Sequence, residues 1–297
     1  RVLTTAARKL NRVLQTGSQQ RSMPINRYAS ELVRSGKIGK IESVTVCNFL
    51  PGLDWKPQPP QPAPEGFDWD TWCNQTELRP YHPNLHRGWS LYWDYDCGGQ
   101  SWGVSGWGTH ALDQVQCALG MDDTGPVEVW TENAHTEDAL NFPFRKRPDW
   151  KQMADRKPVT MRFANGTLVK LDEPCKDGHD QLGAIFHGTK GTIKIIRGNF
   201  TADPAELKKG APDALPEGKG EDAPHLRNFF ECLRTRKRPN ADVEIAHRAT
   251  TLCHLVNIAR QLDRKLKWDP KAERFNDEEA NKLISRPRRK GFEFPAV

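Results

Sequence analysis

Apolar residues recur at helical spacing in some parts of this 297-residue chain and alternate with polar residues in others. Residues 2–13 have the pattern of the end of a helix, and 13–16 that of a short buried strand. Helical spacing over 25–33 predicts a helix that begins at Pro24 and ends before Gly36. The β-branched alternation over 41–49 predicts a strand, and a second helix is predicted over 106–119 with one apolar stripe.

The second half of the chain predicts consecutive strands, beginning with an alternating segment at 127–130. Two hairpins are predicted, one with a type I′ turn at Asn165-Gly166 and one closed around 188–191. Two helices follow, at 224–235 and 243–263, and the first is expected to bury its apolar residues Leu226, Phe229, Phe230 and Leu233. Sequential hairpins indicate an α/β or α+β fold built on one large, mostly antiparallel sheet.

A proline-dense segment over 51–65 cannot form the interior of a regular element, so we expect an ordered loop there. The aromatic segment over 66–97 that follows also predicts loop structure and contains His82 and His86. Trp69 and Trp72 are interpreted as anchors of this loop rather than as platforms for a sugar, since large aromatic side chains dominate core burial.

Composition limits the classes of function. The net charge of +6 is spread along the chain, and neither zinc-finger spacing nor an RNA-recognition motif is present, so no nucleic-acid partner is predicted. No apolar run approaches the ~20 residues that span a bilayer, so no membrane partner is predicted either. The seven cysteines are scattered without a Cys-x-x-Cys pair, which predicts reduced thiols, no bound metal and a cytoplasmic location. The chain starts without Met or a signal peptide and is expected to be a piece of a longer protein.

Five glycines lie at 98, 99, 103, 106 and 108, in and just after the loop that leads into the helix at 106–119, and His110 lies in its first turn. Glycines let backbone approach a ligand closely, and the positive end of a helix disfavours a charged imidazole. A neutral imidazole can accept a proton, as a general base must. The alternative is a helix entry with a hydrogen-bonded histidine. Residues 106–111 also satisfy the dinucleotide pattern G-x-G-x-x-[GA], but no buried strand precedes them, so we expect no phosphate cradle there.

Several motifs in order resemble the Gfo/Idh/MocA family of nicotinamide-dependent sugar and polyol oxidoreductases, especially its planctomycete-type branch. They are VLQTGSQQRS at 13–22, FDWDTW at 67–72, LRPYHP at 78–83, HLRNF at 225–229, RKRPNAD at 236–242 and AHR at 246–248. The resemblance implies that residues 1–23 are the remnant of an NAD(P)-binding Rossmann domain. Residues 24–297 would be the substrate and oligomerisation domain, with a large open sheet covered by helices.

The family resemblance also implies roles for individual residues. His110 matches the catalytic acid/base histidine of the family pattern Asp-x-Gly-x-His, although Gly106 stands where the aspartate is usual. Cofactor contacts are expected from Gln20, Arg21 and Arg79. The candidate substrate-side residues are His82, His86, Trp107, Asp113, His225 and Asn228.

The resemblance therefore implies an NAD- or NADP-dependent oxidoreductase that acts on a sugar or polyol hydroxyl, as a homo-oligomer formed through the open face of the sheet. A reaction in which NAD assists glycosidic cleavage or sugar modification without net redox change stays open. A non-catalytic carbohydrate-binding protein of the same fold also stays open, because Gly106 fits both alternatives.

Overall fold

A nine-stranded sheet organises the described part of the chain, which in this computed structural model comprises residues 1–99, 102–133, 156–174, 182–216 and 220–296. The strands are β1 Ile41–Cys47, β2 Pro126–Thr131, β3 Val159–Phe163, β4 Leu168–Glu173, β5 Ala184–Gly188, β6 Gly191–Ile196, β7 Asn199–Asp203, β8 Leu266–Asp269 and β9 Arg274–Phe275. Their order is β7-β6-β5-β1-β4-β3-β2-β8-β9. Among these neighbours β1 and β4 run parallel and the others antiparallel, which confirms the predicted fold class.

Helices pack along one face of this sheet. The helices are α1 Val2–Lys9, α2 Pro24–Arg34, α3 Trp69–Cys73, α4 Pro83–Gly88, α5 Trp107–Leu119, α6 Asp222–Thr235, α7 Val243–Leu262 and α8 Glu278–Lys282, with 3-10 turns at Gln19–Ser22, Trp89–Leu91 and Ala205–Lys208. Helix α2 contacts β6 and β7, helix α5 contacts β1 and β5, and helix α7 contacts β2 and β3. Strand side chains such as Met161, Phe163 and Phe186 are almost completely buried. Each contributes about 1.5–3 kcal/mol of hydrophobic burial.

The helix boundaries follow local signals in the sequence. Pro24 occupies the first turn of α2, and α5 ends where Gly120 takes a left-handed conformation with φ +67°. Asp242 caps α7 by accepting a hydrogen bond from the Glu244 amide. The predicted positions of α2, α5 and α7 are therefore confirmed.

Two predicted details of local structure are wrong. Residues 13–16 form a single bridge between Gln15 and Asp242 instead of a strand. In the β3–β4 hairpin Gly166 has φ +90°, but Asn165 is not among the residues with positive φ, so the turn is not type I′. The Gly166 amide donates to the Phe163 carbonyl at 2.9 Å, which places Gly166 after a tight turn rather than at its centre.

Helix α6 does not bury its apolar residues as expected. Leu226 is 52% exposed, Phe230 57% and Leu233 39%, and Phe229 is only partly buried. The side of α6 that faces the protein is formed by His225 and Cys232 instead. The apolar stripe of α6 therefore faces outward, and Leu3 and Leu10 at the start of the chain are exposed as well.

The thiols also differ from expectation at one position. Cys47 is disulfide-bonded, whereas Cys73, Cys97, Cys117, Cys232 and Cys253 are free. The expectation of reduced thiols throughout is wrong at Cys47, because scattered spacing in sequence does not show which cysteines meet in space. Disulfides are typical of oxidising compartments, so the cysteine argument for a cytoplasmic location no longer holds. Across the described ranges, no helix has the length and apolarity needed to cross a membrane.

Candidate functional site

His110 lies in the first turns of α5, which begins directly after Gly106. The loop before the helix contains turns and a bridge rather than a strand, so the dinucleotide pattern at 106–111 lacks the structural setting that it requires. Gly108 lets this helix start approach the core closely, because a Cβ at this position would lie 3.1 Å from the Phe49 ring. The turn that carries His110 is thus fixed by packing.

The imidazole of His110 is partly buried, and neither ring nitrogen has a hydrogen-bond partner among the residues that the structure describes. The pKa of His110 is lowered to about 4, first by burial and then by the charge of Arg197, while the charge of Glu221 opposes the shift. The ring is therefore neutral at pH 7. The alternative of a hydrogen-bonded structural histidine does not describe it.

Arg197 and Glu221 form an ion pair beside this histidine. The Arg197 Nε atom donates to Glu221 Oε2 at 2.6 Å, and both side chains are only 10% exposed. Arg197 directly follows β6, and Glu221 directly precedes α6. Neither residue was predicted, because they are distant from His110 in sequence and ordinary in type.

A buried amide network joins α5 to the turn after β6. Gln114, one helical turn beyond His110, accepts hydrogen bonds from Asn26 at 3.0 Å and from Gln20 at 3.2 Å. Asn26 also bonds the carbonyl of Ile196 at 3.0 Å and accepts from the Gly198 amide at 2.9 Å. Both bonds flank Arg197. Polar residues on helix faces that otherwise pack into the core were the signal available in the sequence.

Gln20, a predicted cofactor residue, lies in this network. Its amide nitrogen donates to Gln114 and, at 2.7 Å, to the Leu182 carbonyl, while its Oε1 atom is buried without a hydrogen-bond partner among the described residues. A buried acceptor of this kind fits an amide donor such as the carboxamide of a nicotinamide. Gln20 therefore lies against α5, the helix that carries His110, and its Oε1 atom can still accept a hydrogen bond.

Arg21 and Asp113 face each other in the interior of the protein. Arg21 Nε lies 2.8 Å from both carboxylate oxygens of Asp113, and Arg21 Nη2 lies 2.7 Å from Asp122 Oδ1. The Arg21 and Asp113 side chains are 4% and 1% exposed. Burial opposes the guanidinium charge, but the two carboxylates outweigh it and raise the pKa of Arg21. Arg21 and Asp113 thus use their hydrogen bonds within the fold, and the cofactor role of Arg21 and the substrate-side role of Asp113 stay predictions.

His225 and Asn228 also use their polar atoms within the fold. His225 Nε2 lies 2.8 Å from the Thr16 carbonyl, which can only accept, so Nε2 donates and Nδ1 accepts from Ser22 Oγ at 2.9 Å. Asn228 Oδ1 accepts from the Asn240 amide at 2.8 Å. The His225 bonds join α6 to the segment before α2, and the Asn228 bond joins α6 to the loop before α7. The substrate-side role of both residues stays a prediction.

The remaining candidates lie in the aromatic loop, and the structure shows no contact between them and His110. His82 caps α4 by accepting from the Asn84 amide at 3.1 Å. His86 stacks on Phe67 with ring centroids 4.6 Å apart. Trp69 stacks on Trp72 at 4.4 Å, as expected of loop anchors. The structure therefore gives these rings packing partners within the loop.

Arg79 and Trp107 complete the set of predicted residues. Arg79 pairs with Asp94 at the edge of a cleft of about 620 Å³ between the aromatic loop and residues 283–294. Trp107 packs on Trp102 with ring centroids 4.5 Å apart. The structure shows no hydrogen bond or ring stacking between either residue and His110, and their cofactor and substrate roles stay predictions. No group of three or more His, Cys, Asp or Glu side chains within the described ranges is arranged to hold a metal ion.

The sheet and the helices that pack on it form an α/β domain. Residues 23–294 match the family model described as the oxidoreductase family, C-terminal alpha/beta domain, of the Gfo/Idh/MocA oxidoreductases. Because this match covers most of the chain, the chain belongs to that family. A comparison with curated protein sequences gives no significant match.

Solved structures share this fold at low sequence identity. An aldose-aldose oxidoreductase from Caulobacter crescentus, complexed with glycerol, is 19% identical with a TM-score of 0.52, over 89% of this chain and 66% of that one. A myo-inositol 2-dehydrogenase from Lactobacillus plantarum is 14% identical with a TM-score of 0.51, over 89% and 68%. An oxidoreductase domain protein from Kribbella flavida is 15% identical with a TM-score of 0.53, over 89% and 68%. The chain thus spans about two thirds of the length of these proteins.

Proposed function

We propose that this chain is the substrate-binding part of an NAD- or NADP-dependent oxidoreductase that oxidises a hydroxyl group of a sugar or polyol. Family membership supports the oxidoreductase class. The similar fold of an aldose-aldose oxidoreductase and of a myo-inositol dehydrogenase supports the substrate class. The observation that carries the proposal is the neutral, partly exposed imidazole of His110, which has no hydrogen-bond partner among the described residues.

The residues described here fit only one end of a nicotinamide cofactor. The unused Oε1 atom of Gln20 would accept a hydrogen bond from the carboxamide, whereas the glycine pattern at 106–111 has no strand before it and gives no phosphate cradle. The described residues would therefore contact the nicotinamide end of the dinucleotide and not its phosphates. When bound, NAD(P) supplies the hydride acceptor.

The contribution of the chain itself is to position a base. His110 accepts the hydroxyl proton at an unprotonated ring nitrogen as the carbon–hydrogen bond is broken, and its low pKa ensures that this nitrogen is free at neutral pH. Packing of the first turn of α5 on Phe49 fixes the ring at the level of the helix start. In the reverse direction the same nitrogen returns the proton.

The test is NAD(P)H formation across a panel of aldoses, inositols and open-chain polyols, measured on this protein. We expect turnover with at least one substrate, and a loss of about 10²–10⁴-fold in the His110→Gln variant. His187→Gln is the matched control, because His187 lies on β5 and bonds Thr45. Unchanged turnover in His110→Gln would remove His110 from the mechanism.

A non-catalytic sugar-binding protein is the second candidate, and Gly106 is the observation that favours it. A glycine offers no side chain at the position where the family pattern has an aspartate beside the histidine, so the expected partner of the base is missing. Calorimetry that detects sugar binding to this protein, together with no NAD(P)H formation from any substrate, would support this candidate over the enzyme.

A further inference from the structure

The cleft of about 620 Å³ between the aromatic loop and residues 283–294 has the size of a small-molecule site, for which about 300–1,000 Å³ is typical. One wall comes from residues 75–79 and 94 of the loop, the other from residues 283–288 with Phe294, and His254 of α7 lines it as well. A second hollow of about 250 Å³ shares Asp94, His254 and Arg286 with the cleft and continues it along α7.

Arg289 ties the two walls of the cleft to each other. Its backbone amide donates to the Gln75 carbonyl at 3.1 Å, and its Nη2 atom donates to the carbonyls of Asn74 and Asp70, each at 2.9 Å. Its guanidinium also pairs with the Asp70 carboxylate, and the Arg289 side chain is only 19% exposed. Because these bonds fix the walls, a ligand that enters the cleft has little chain left to order.

The acidic side chains of the cleft are already engaged. Glu77 and Asp94 both pair with Arg79, the first at 3.5 Å. The Nη1 atom of Arg79 is buried and still has no hydrogen-bond partner among the described residues. The two carboxylates are therefore taken up by one arginine of the loop wall, and they leave the arginines of the opposite wall without an acid.

Positive charge remains on the wall formed by residues 283–288. Arg286 donates to the Tyr95 carbonyl at 3.4 Å and to Sγ of Cys97, a thiol whose pKa is raised by burial. Arg288 donates to the Phe292 carbonyl at 3.0 Å. Within the described ranges, neither arginine forms an ion pair with a carboxylate, and both side chains are exposed. Guanidinium groups with donors to spare suit the paired oxygens of a carboxylate or a phosphate.

The other lining groups are apolar or neutral. Ile284 is 44% exposed and Phe294 55%, so both present uncovered apolar surface, and the guanidinium of Arg288 lies 3.5 Å from the centroid of the Phe294 ring. His254 and Ser285 are exposed and have no hydrogen-bond partner in the part of the chain that the structure describes. The cleft thus combines an anion-binding wall with a surface for carbon atoms and with neutral polar groups.

We propose that this cleft binds a small organic anion, a carboxylate or phosphate ester on a hydroxylated carbon skeleton, with Arg286 and Arg288 holding the anionic group. Phe294 and Ile284 contact the carbon skeleton, and His254 and Ser285 bond its hydroxyl groups. The inference goes beyond the proposed function, because it concerns a binding site that uses neither His110 nor Gln20.

The experiment is isothermal titration calorimetry of the protein with gluconate, glucose 6-phosphate, glucose and inorganic phosphate as probes. We expect one-to-one binding of gluconate or glucose 6-phosphate, about 10-fold or more tighter than that of glucose, and the probe that binds identifies the anionic group. Arg286→Gln and Arg288→Gln should each weaken this binding by about 10-fold, since a charge-assisted hydrogen bond is lost. Arg234→Gln is the matched control: it removes the same charge from the exposed last turn of α6 and should leave the affinity almost unchanged.

Arginines that only fasten the end of the chain to the aromatic loop would behave differently. Neither sugar anion would then bind more tightly than glucose, or Arg234→Gln would weaken binding as much as the cleft variants, and either result overturns the inference. Inorganic phosphate that binds as tightly as the sugar anions would contradict the role of Phe294 and Ile284. Should Arg286→Gln not fold, Arg288→Gln decides alone. The titration needs neither NAD(P) nor turnover, so the inference and the proposed function can fail independently.

Discussion

The ion pair of Arg21 with Asp113 gives the sharpest prediction of stability. In Asp113→Asn the side chain keeps its shape but loses its charge, which leaves the guanidinium of Arg21, 4% exposed, with the carboxylate of Asp122 as its remaining partner. Removing one member of a buried pair costs about 3–5 kcal/mol, because the other charge stays buried. We therefore expect a loss of this size in the free energy of unfolding.

Asp122→Asn is the matched control. Asp122 binds the same guanidinium but is 33% exposed, so water compensates for part of its loss and the expected cost is about 1 kcal/mol. At roughly 2 °C per kcal/mol for a chain of this size, Asp113→Asn should lower Tm by about 6–10 °C and Asp122→Asn by about 2 °C. Urea unfolding and thermal melts followed by circular dichroism measure both quantities.

The double variant Arg21→Met with Asp113→Leu separates charge from packing. Removal of both charges leaves only the carboxylate of Asp122, which is 33% exposed, without its partner, so the double variant should be less destabilised than Asp113→Asn alone. If Asp113→Asn costs no more than Asp122→Asn, the reasoning is refuted. A ligand-facing Asp113 would give that result, because its loss would leave the stability of the free chain almost unchanged.

Three further predictions concern other parts of the fold. The pKa of His110 is about 4, so the folded state resists protonation of this ring and the protein loses stability as the pH falls from 6.5 toward 4. Between pH 7 and 4.5, the wild type should lose roughly 2 kcal/mol more of its unfolding free energy than His110→Gln, measured by urea titrations. Equal losses in the two proteins would contradict this. Gly188→Ala should lower the free energy of unfolding by about 1–3 kcal/mol, because its Cβ would lie 2.1 Å from the Ile38 carbonyl oxygen. Gly17→Ala is the control and should be neutral, because no atom lies within 4 Å of its Cβ position. Similar thermal melts for the two variants would refute the clash. Leu226→Gln and Phe230→Gln, on the exposed side of α6, should each change the free energy of unfolding by less than about 0.5 kcal/mol. Leu252→Ala is the buried control: Leu252 is 1% exposed, so a loss of about 2–5 kcal/mol is expected. A large loss at α6 would show that its apolar face is covered.

The sheet and the main helices could be predicted because periodicity reports directly which side of an element is buried. Alternation over 41–49 predicts a strand and helical spacing over 25–33 predicts a helix, and the structure contains both elements. The consecutive hairpins likewise predicted antiparallel neighbours. Where the spacing of apolar residues and the local turn residues predict the same element, tertiary packing does not alter its type or position.

Helix α6 shows where this reasoning stops. Its apolar residues do lie at helical spacing, so the helix was predictable, but spacing does not reveal whether any part of the chain covers the resulting stripe. Leu226 and Phe230 are exposed, whereas the buried contacts of α6 come from His225 and Cys232. The disulfide at Cys47 was out of reach for the same reason, since it depends on which segments meet in space.

In the candidate site, too, local patterns could be predicted from the sequence and contacts between distant segments could not. A histidine at a glycine-rich helix start is a local pattern, so His110 could be named from the sequence. The charges that act on it could not, because Arg197 and Glu221 reach α5 only through the β6–β7 turn and the start of α6. Asn26 and Gln114, which hold that arrangement together, look in the sequence like ordinary polar positions on amphipathic helices.

Unused hydrogen-bonding capacity distinguishes a residue that can act on a ligand from one that supports the fold. Arg21, Asp113, His225 and Asn228 have their polar atoms engaged within the chain, so a ligand could bind them only by breaking bonds that hold the helices together. His110 and the Oε1 atom of Gln20 keep such capacity on the side of α5 where Gln114 joins the helix to the sheet. Since Gly106 adds no carboxylate beside the imidazole, the unused polar groups that the described residues bring to this part of α5 are the His110 ring and the Oε1 atom of Gln20.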